Sequence, residues 1–207
     1  MLTGVAIALC CLAAKASGQS PSPTASPAGS VVPESISPNG RYGVFVVDSQ
    51  KEDAKPKNLL VHVEPFQVVT AIDGEPFLKG YLKNSLAVSW ARDSSAVLVI
   101  VDGYWGINAL QLVDLRKPGS VKQTDLLEAM VKISKRELHF WPHFHVSDTD
   151  VNWEISNGRR LRIACNGDTE SNNLEATPSY MHFEGVWNLD KTKWDMQKCR
   201  KTKAPDW

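Results

Sequence analysis

The residues best suited to chemistry in this sequence form a short histidine-rich segment. His143 and His145 are two residues apart, so on a β-strand both imidazoles would point to the same face. With Asp150 nearby, they make a ligand set that Zn²⁺ or another transition metal accepts, as in a metal-dependent hydrolase. The alternative is a turn whose aromatic residues fill the core while the histidines face water. Because no further ligand has a clear place beside this set, we expect no stoichiometric metal and no cofactor.

Aromatic side chains offer a second kind of site. Tyr104 and Trp105 stand between Gly103 and Gly106, directly after the most apolar segment of the chain. A loop that exposes large aromatic side chains usually contacts a partner, and here they would stack on a sugar ring or a protein side chain. Trp141, beside the histidines, is a third candidate for such binding. In the alternative, Trp105 folds back as a lid over the core.

The motifs of the common enzyme classes are absent from the sequence. It contains no nucleophile elbow of a serine hydrolase, no His-Glu-x-x-His pair, no dinucleotide-binding glycine pattern and no phosphate loop. These absences favour a non-catalytic protein. Dispersed pairs, such as His182 with Asp168, stay open as candidates for a catalytic site.

The charge of the chain argues against two classes of partner. It has 23 basic and 23 acidic residues, so neither nucleic acid nor an anionic membrane is expected as the main partner. Residues 191–203 hold six basic residues against Asp195 alone, a run more typical of a solvated face. The hydrophobic content of 43% is sufficient for a sizeable core.

The first 33 residues have the composition of segments that precede a fold. Residues 5–14 are apolar and are followed by Ala14-Lys15-Ala16, so residues 1–18 are predicted to be a secretory signal peptide, too short to span a bilayer. Residues 19–33 are rich in Pro and Ser and are predicted to be a disordered linker. We therefore expect one folded domain over residues 34–207, exported to the periplasm or outside the cell.

Cysteine usage agrees with export. Two of the four cysteines lie in the predicted signal peptide, which leaves Cys165 and Cys199. Two thiols in an exported protein are predicted to form a disulfide. The alternative is one buried free thiol and one exposed free thiol. A disulfide would also leave no cysteine for nucleophilic catalysis.

The hydrophobic pattern predicts a mainly β protein with one helix. Residues 96–101 are six consecutive apolar residues between turn signals, which indicates a strand buried on both faces. The helix is predicted over residues 121–138, with Ser120 and Gln123 as its capping box and an amphipathic pattern that would lie against a sheet. Antiparallel sheets joined by short turns account for most of the other segments.

Three segments align without gaps and indicate an internal repeat. Residues 39–49, 93–103 and 157–167 each contain a polar turn, an apolar strand and then Asp or Asn before a small residue. The turns Ser37-Pro-Asn-Gly-Arg-Tyr and Trp90-Ala-Arg-Asp-Ser-Ser resemble those of TolB-like and WD-repeat β-propeller blades. The resemblance implies blade-like antiparallel sheets and a role in binding. Three units are fewer than closed propellers usually have, so it implies an open or incomplete propeller.

Taken together, these features predict an exported, non-catalytic binding or accessory protein of the cell envelope. Its partner would be an envelope protein or a glycan, and the exposed edges of an open sheet would allow self-association. The alternative function is a metal-dependent or other hydrolase built on His143, His145 and Asp150.

Overall fold

A computed structural model describes residues 28–47, 57–77, 85–103, 106–117, 119–139, 142–145, 150–153, 159–169 and 179–203. Over these ranges the chain forms three antiparallel sheets and one α-helix, which confirms the predicted mainly β fold. No helix in these ranges is both long and apolar enough to cross a bilayer.

Each sheet is built from strands that are neighbours in the chain. The first sheet contains β1 Gly29–Val31, β2 Tyr42–Val47, β3 Leu59–His62 and β4 Gln67–Ala71, and a 3₁₀ turn, Pro33–Ser35, joins β1 to β2. The second contains β5 Ser85–Trp90, β6 Ala96–Gly103, β7 Gly106–Lys117 and β8 Ser120–Asp125, followed by the helix α1 Leu126–Leu138. The third contains β9 His143–Phe144, β10 Asp150–Trp153, β11 Arg160–Asp168, β12 Tyr180–Asn188 and β13 Lys193–Thr202. Both β9 and β10 pair with one edge of β11, the edge opposite β12.

The second sheet lies between the other two. Val97 and Val99 of β6 pack with apolar residues of the first sheet, and Leu98 and Ile100 pack with those of the third sheet and α1. All six residues 96–101 are buried. The structure therefore confirms the strand predicted to be buried on both faces, because successive side chains of a strand point to opposite faces.

The aligned segments of the repeat occupy equivalent places in the three sheets. They contain β2, β6 and β11, each of which is the second strand in a four-strand antiparallel path. In each sheet a residue at or just after the end of the third strand donates a backbone hydrogen bond to the residue just before the second strand. These bonds run from Val63, Leu115 and Leu189 to the carbonyl oxygens of Arg41, Ser95 and Arg159. The sequence repeat thus corresponds to a structural repeat.

The helix begins later than predicted. Residues 120–125 form β8, which pairs with β7, and α1 starts at Leu126. Its N-cap is Asp125, whose carboxylate accepts a hydrogen bond at 2.8 Å from the backbone N–H of Glu128. The capping box predicted for Ser120 and Gln123 is therefore wrong. The N-cap is Asp125, five positions after Ser120, and it caps the N–H of Glu128, five positions after Gln123.

Gln123 joins two sheets instead of capping a helix. Its amide nitrogen donates to Thr70 Oγ1 at 3.2 Å and to the carbonyl oxygen of Ala71 at 2.8 Å. Its amide oxygen accepts from the backbone N–H of Asp73 at 3.1 Å. The edge strand β8 is thereby fixed to the end of β4 in the first sheet.

Part of the segment predicted as a linker forms a strand. β1 lies within the segment 19–33 and pairs with β2 over Gly29–Val31, so at least these residues belong to the fold. Gly29 has φ 159°, and a Cβ there would lie 2.2 Å from the carbonyl oxygen of Val46. The close approach of two backbones explains why a glycine occupies this position.

Candidate functional site

The outer face of the third sheet carries a groove at one end. On β11 the core side holds Leu161, Ile163 and Cys165, so the alternate residues point away from the core. Register then places polar side chains beside one another in two rows across the sheet. One row is Asn166, His182 and Arg200, and the other is Asp168, Tyr180 and Thr202. Together with His145 these residues line a cavity of about 240 Å³.

His145 and Asp168 form the most defined pair in the groove. His145 Nε2 lies 3.2 Å from Asp168 Oδ2, and each side chain is about one-third exposed. The backbone N–H of His145 donates to the carbonyl oxygen of Asn166 at 3.1 Å, so the residue is also held by its main chain. The carboxylate orients the imidazole, and the pair would become an ion pair when His145 is protonated.

His182 is held beside this pair as a neutral imidazole. Its Nδ1 lies 2.8 Å from Asn166 Oδ1, so this nitrogen donates and Nε2 keeps a free lone pair. Burial lowers the pKa of His182, the charge of Arg200 lowers it further, and Glu184 opposes the shift. A guanidinium and a neutral imidazole therefore stand in the same row.

The second sheet reaches the edge of the groove. Burial raises the pKa of Asp102, at the end of β6, while a hydrogen bond from Gly103 and the charge of His145 lower it. A Cβ at Gly106 would lie 2.5 Å from the carbonyl oxygen of Phe144. The start of β7 therefore abuts β9. Gly106, which follows the predicted aromatic pair, and His143–Phe144 of the histidine-rich segment are therefore neighbours in the fold.

The structure places only part of each predicted site. Tyr104, Trp105 and Trp141, the predicted aromatic binding residues, lie outside the described residues. His143 and His145 point to the outer face, since their neighbour Phe144 is buried in the core.

Asp150 lies on the same outer face but further along the sheet. It is paired with Ala164, two positions along β11 from Asn166, which is about 7 Å of strand. The carboxylate that contacts His145 belongs instead to Asp168. Within the described ranges, no three His, Cys, Asp or Glu side chains are close enough to hold a metal ion.

The two cysteines are free thiols on the core side of the same sheet. Cys165 is in register with Phe183 and Phe183 with Cys199, so a whole strand separates them. Two strand spacings are about 9.6 Å, and Cα atoms more than about 7 Å apart cannot be bridged without backbone movement. The disulfide expected from the cysteine count is therefore not formed in this structure.

Neither thiol is placed for nucleophilic chemistry. Cys165 is fully buried, and burial raises the pKa of its thiol far above the ordinary value. Burial also raises the pKa of Cys199, although a hydrogen bond from Ser134 opposes it, with Oγ and Sγ 3.5 Å apart. Both thiols therefore stay protonated at neutral pH and behave as small apolar side chains.

Of the groove residues, His145, Asp168 and His182 were candidates from the sequence, with other partners. Asp168 was paired with His182, whereas the structure pairs it with His145, and Arg200 was one of a run of surface charges. The period-two alternation of β11, β12 and β13 was the only available signal that these residues share a face. Compared with known proteins, the chain matches no family model, no curated protein and no solved structure.

Proposed function

We propose that the protein is an exported, non-catalytic binding protein of the cell envelope, and that the groove of the third sheet binds a saccharide unit of its ligand. The observation that carries the proposal is the row of Asn166, His182 and Arg200 beside the His145–Asp168 pair. Strand register fixes the positions of the row, and hydrogen bonds hold His145 to Asp168 and His182 to Asn166 before any ligand arrives. Such preorganisation lowers the entropic cost of binding.

The polar groups match the needs of sugar hydroxyls. A hydroxyl donates one hydrogen bond and accepts others, and the groove offers the Asp168 carboxylate as acceptor and the Arg200 guanidinium as donor. His182 has a donating and an accepting nitrogen, and Tyr180 adds an aromatic ring at the rim. Ligand pockets for drug-sized molecules measure roughly 300–1,000 Å³. A cavity of about 240 Å³ suits one ring or an end group of a glycan.

Two features of the sequence support the envelope as the place of action. Residues 1–18 have the pattern of a signal peptide, and residues that follow are rich in Pro and Ser. The repeated turns resemble those of TolB-like and WD-repeat β-propellers, families whose roles are mostly in binding. Each of the three sheets contains a path of four antiparallel strands, and the aligned segment contributes the second strand of each path. This arrangement agrees with the resemblance.

The test is binding of soluble peptidoglycan fragments, measured by calorimetry on the wild type and on two matched variants. Arg200→Ala removes a groove residue, and Lys198→Ala removes a charge from the same face of β13 outside the groove. Loss of a charged hydrogen bond costs about 1.5–3 kcal/mol, so Arg200→Ala should weaken binding at least about tenfold. Lys198→Ala should bind like the wild type.

Two outcomes would contradict the proposal. If no fragment binds, while an envelope protein is retained by the wild type and equally by Arg200→Ala, the groove is not the site. If both variants weaken binding equally, the effect is one of net charge rather than of the groove. Thermal unfolding of each variant shows whether the fold is intact.

The second candidate function is hydrolysis, and the His145–Asp168 hydrogen bond favours it. A histidine oriented by a carboxylate is the arrangement of a general base that activates water or a hydroxyl. Prolonged incubation with peptidoglycan, followed by chromatography of the products, tests it. Cleavage that His145→Ala abolishes would replace the binding function. A stoichiometric metal in elemental analysis, lost in His143→Ala, would show the metal-dependent form.

A further inference from the structure

A second cavity lies between the second and third sheets, at the opposite end from the groove. It has a volume of about 360 Å³. The second sheet contributes Asp114, Arg116, Lys117, Ser120 and Lys122, and the segments beside the third sheet contribute Arg159, Asp190 and Thr192. The strand β11 separates the two ends by eight residues, about 27 Å, so this cleft is independent of the groove.

The two carboxylates of the cleft, Asp114 and Asp190, form ion pairs with the guanidinium groups of Arg116 and Arg159. Arg116 donates from Nε and Nη2 to Asp114 at 2.9 and 2.7 Å, and from Nη1 to Asp190. Arg159 Nη1 lies 3.6 Å from the other oxygen of Asp190. Burial would raise the pKa of Asp114, but hydrogen bonds from Arg116 outweigh it and hold that pKa below its ordinary value. These four charges cancel and join the two sheets.

Two lysines add positive charge that this network does not balance. Among the residues that the structure describes, neither Lys117 nor Lys122 has its ammonium within 4 Å of a carboxylate, although Lys122 stands opposite Asp114 and its charge helps to lower the pKa of that group. Lys122 Nζ donates instead to the hydroxyl of Thr192 across the cleft. The cavity therefore has four cationic side chains and two carboxylates, with the hydroxyls of Ser120 and Thr192 as further donors.

We propose that this cleft binds an oxyanion group, a phosphate or a sulfate, at Lys117 and Lys122. The surplus of two positive charges attracts a dianion, and ammonium and hydroxyl groups supply several donors to a tetrahedral anion. The Arg116–Asp190 bridge keeps the two walls together around it. An anion bound here contacts both sheets, as a group attached to a larger ligand or as a free ion.

The proposal is tested by titrating inorganic phosphate and, separately, sulfate at low ionic strength, followed by amide NMR. The wild type should show saturable shifts of Gly119, Ser120 and Thr192. Lys117→Gln with Lys122→Gln should weaken affinity at least fivefold. The control pair Lys198→Gln with Lys201→Gln makes the same change of net charge on β13 and should leave the affinity within twofold of the wild type.

A sulfated saccharide and a phosphorylated saccharide form a second arm of the experiment. If they bind at least tenfold more tightly than the inorganic ions, the oxyanion belongs to a larger ligand; equal affinity indicates the free ion. Three results overturn the proposal: no saturable shift, shifts that avoid the cleft, or equal weakening by both pairs of substitutions. If the double variant fails to fold, Lys117→Gln alone is measured and must weaken affinity at least twofold.

Discussion

The backbone N–H of Asn39 donates a hydrogen bond to the side-chain oxygen of Ser94 at 3.2 Å. This bond joins the turn before β2 to the equivalent turn before β6. Ser94 occupies the place that Gly40 has in the first turn, and both have left-handed backbone angles, φ 60° and 71°. A left-handed conformation costs a non-glycine residue roughly 1 kcal/mol, and the contact between turns offsets that cost.

We expect Ser94→Ala to lower the free energy of unfolding by about 1 kcal/mol, because the hydrogen bond is lost and the backbone strain stays. Ser94→Gly loses the bond but relieves the strain, so its change should be within about 0.5 kcal/mol. Gly40→Ala is the control for strain alone, since a Cβ there meets no atom within 4 Å. Chemical denaturation measures all three. A neutral Ser94→Ala would mean that the bond contributes nothing.

A second prediction concerns the start of the helix. Asp125→Ala should destabilise the protein by about 0.5–2 kcal/mol, because its carboxylate caps the N–H of Glu128. Ser120→Ala, at the N-cap predicted from sequence, should change stability by less than about 0.5 kcal/mol, as surface substitutions usually do. Thermal or urea unfolding of both variants decides between the two starts. A larger loss of stability in Ser120→Ala than in Asp125→Ala would indicate that the helix begins at residue 121.

These two sites show what local sequence patterns could predict here. Residues 96–101 were placed correctly because a run of apolar residues needs no knowledge of its partners. Residues 121–125 were misplaced because Ser120 and Gln123 imitate a capping box, while the actual partners of Gln123 lie some fifty residues away. A contact of that range depends on how two sheets pack, which no local pattern encodes.

The groove could not be predicted from the sequence for the same reason. His145 and Asp168 are separated by 23 residues, and they meet only because β9 pairs with the end of β11. Shifting that register by one residue would turn one of the two side chains to the core. Sequence alternation predicted that His143 and His145 share a face but could not predict which residues stand opposite one another.

A third prediction concerns the titration of His182. Its pKa in the folded protein should lie below the ordinary value, through burial first and Arg200 second. Since the folded state disfavours the charged form, His182 contributes stability above the unfolded-state pKa of about 6.5, and this stability is lost as pH falls through the folded pKa.

The measurement is NMR of the imidazole Cε1–H as a function of pH. Arg200→Gln should raise the pKa of His182, and Lys198→Gln should leave it unchanged. An ordinary pKa in the wild type, or no response to Arg200→Gln, would contradict the packing described for this row.

A fourth prediction concerns the thiols. A chain expressed without residues 1–18 and denatured without reductant should show two titratable thiols, because β12 separates Cys165 from Cys199. In the native state Cys165 should react far more slowly, since its side chain is fully buried. A mass two daltons lower than the reduced chain, with no titratable thiol, would show that the bond expected from the cysteine count forms after all.

The double-faced burial of β6 constrains how the chain can be made. Residues 96–101 combine high β-propensity, no charge and no proline, which are the properties of segments that aggregate when exposed. In the native fold the first sheet covers them on one side, and α1 and the third sheet cover them on the other. Because the third sheet comes last in the chain, we expect a newly made chain to expose one face of this strand until the strands of that sheet have been synthesised.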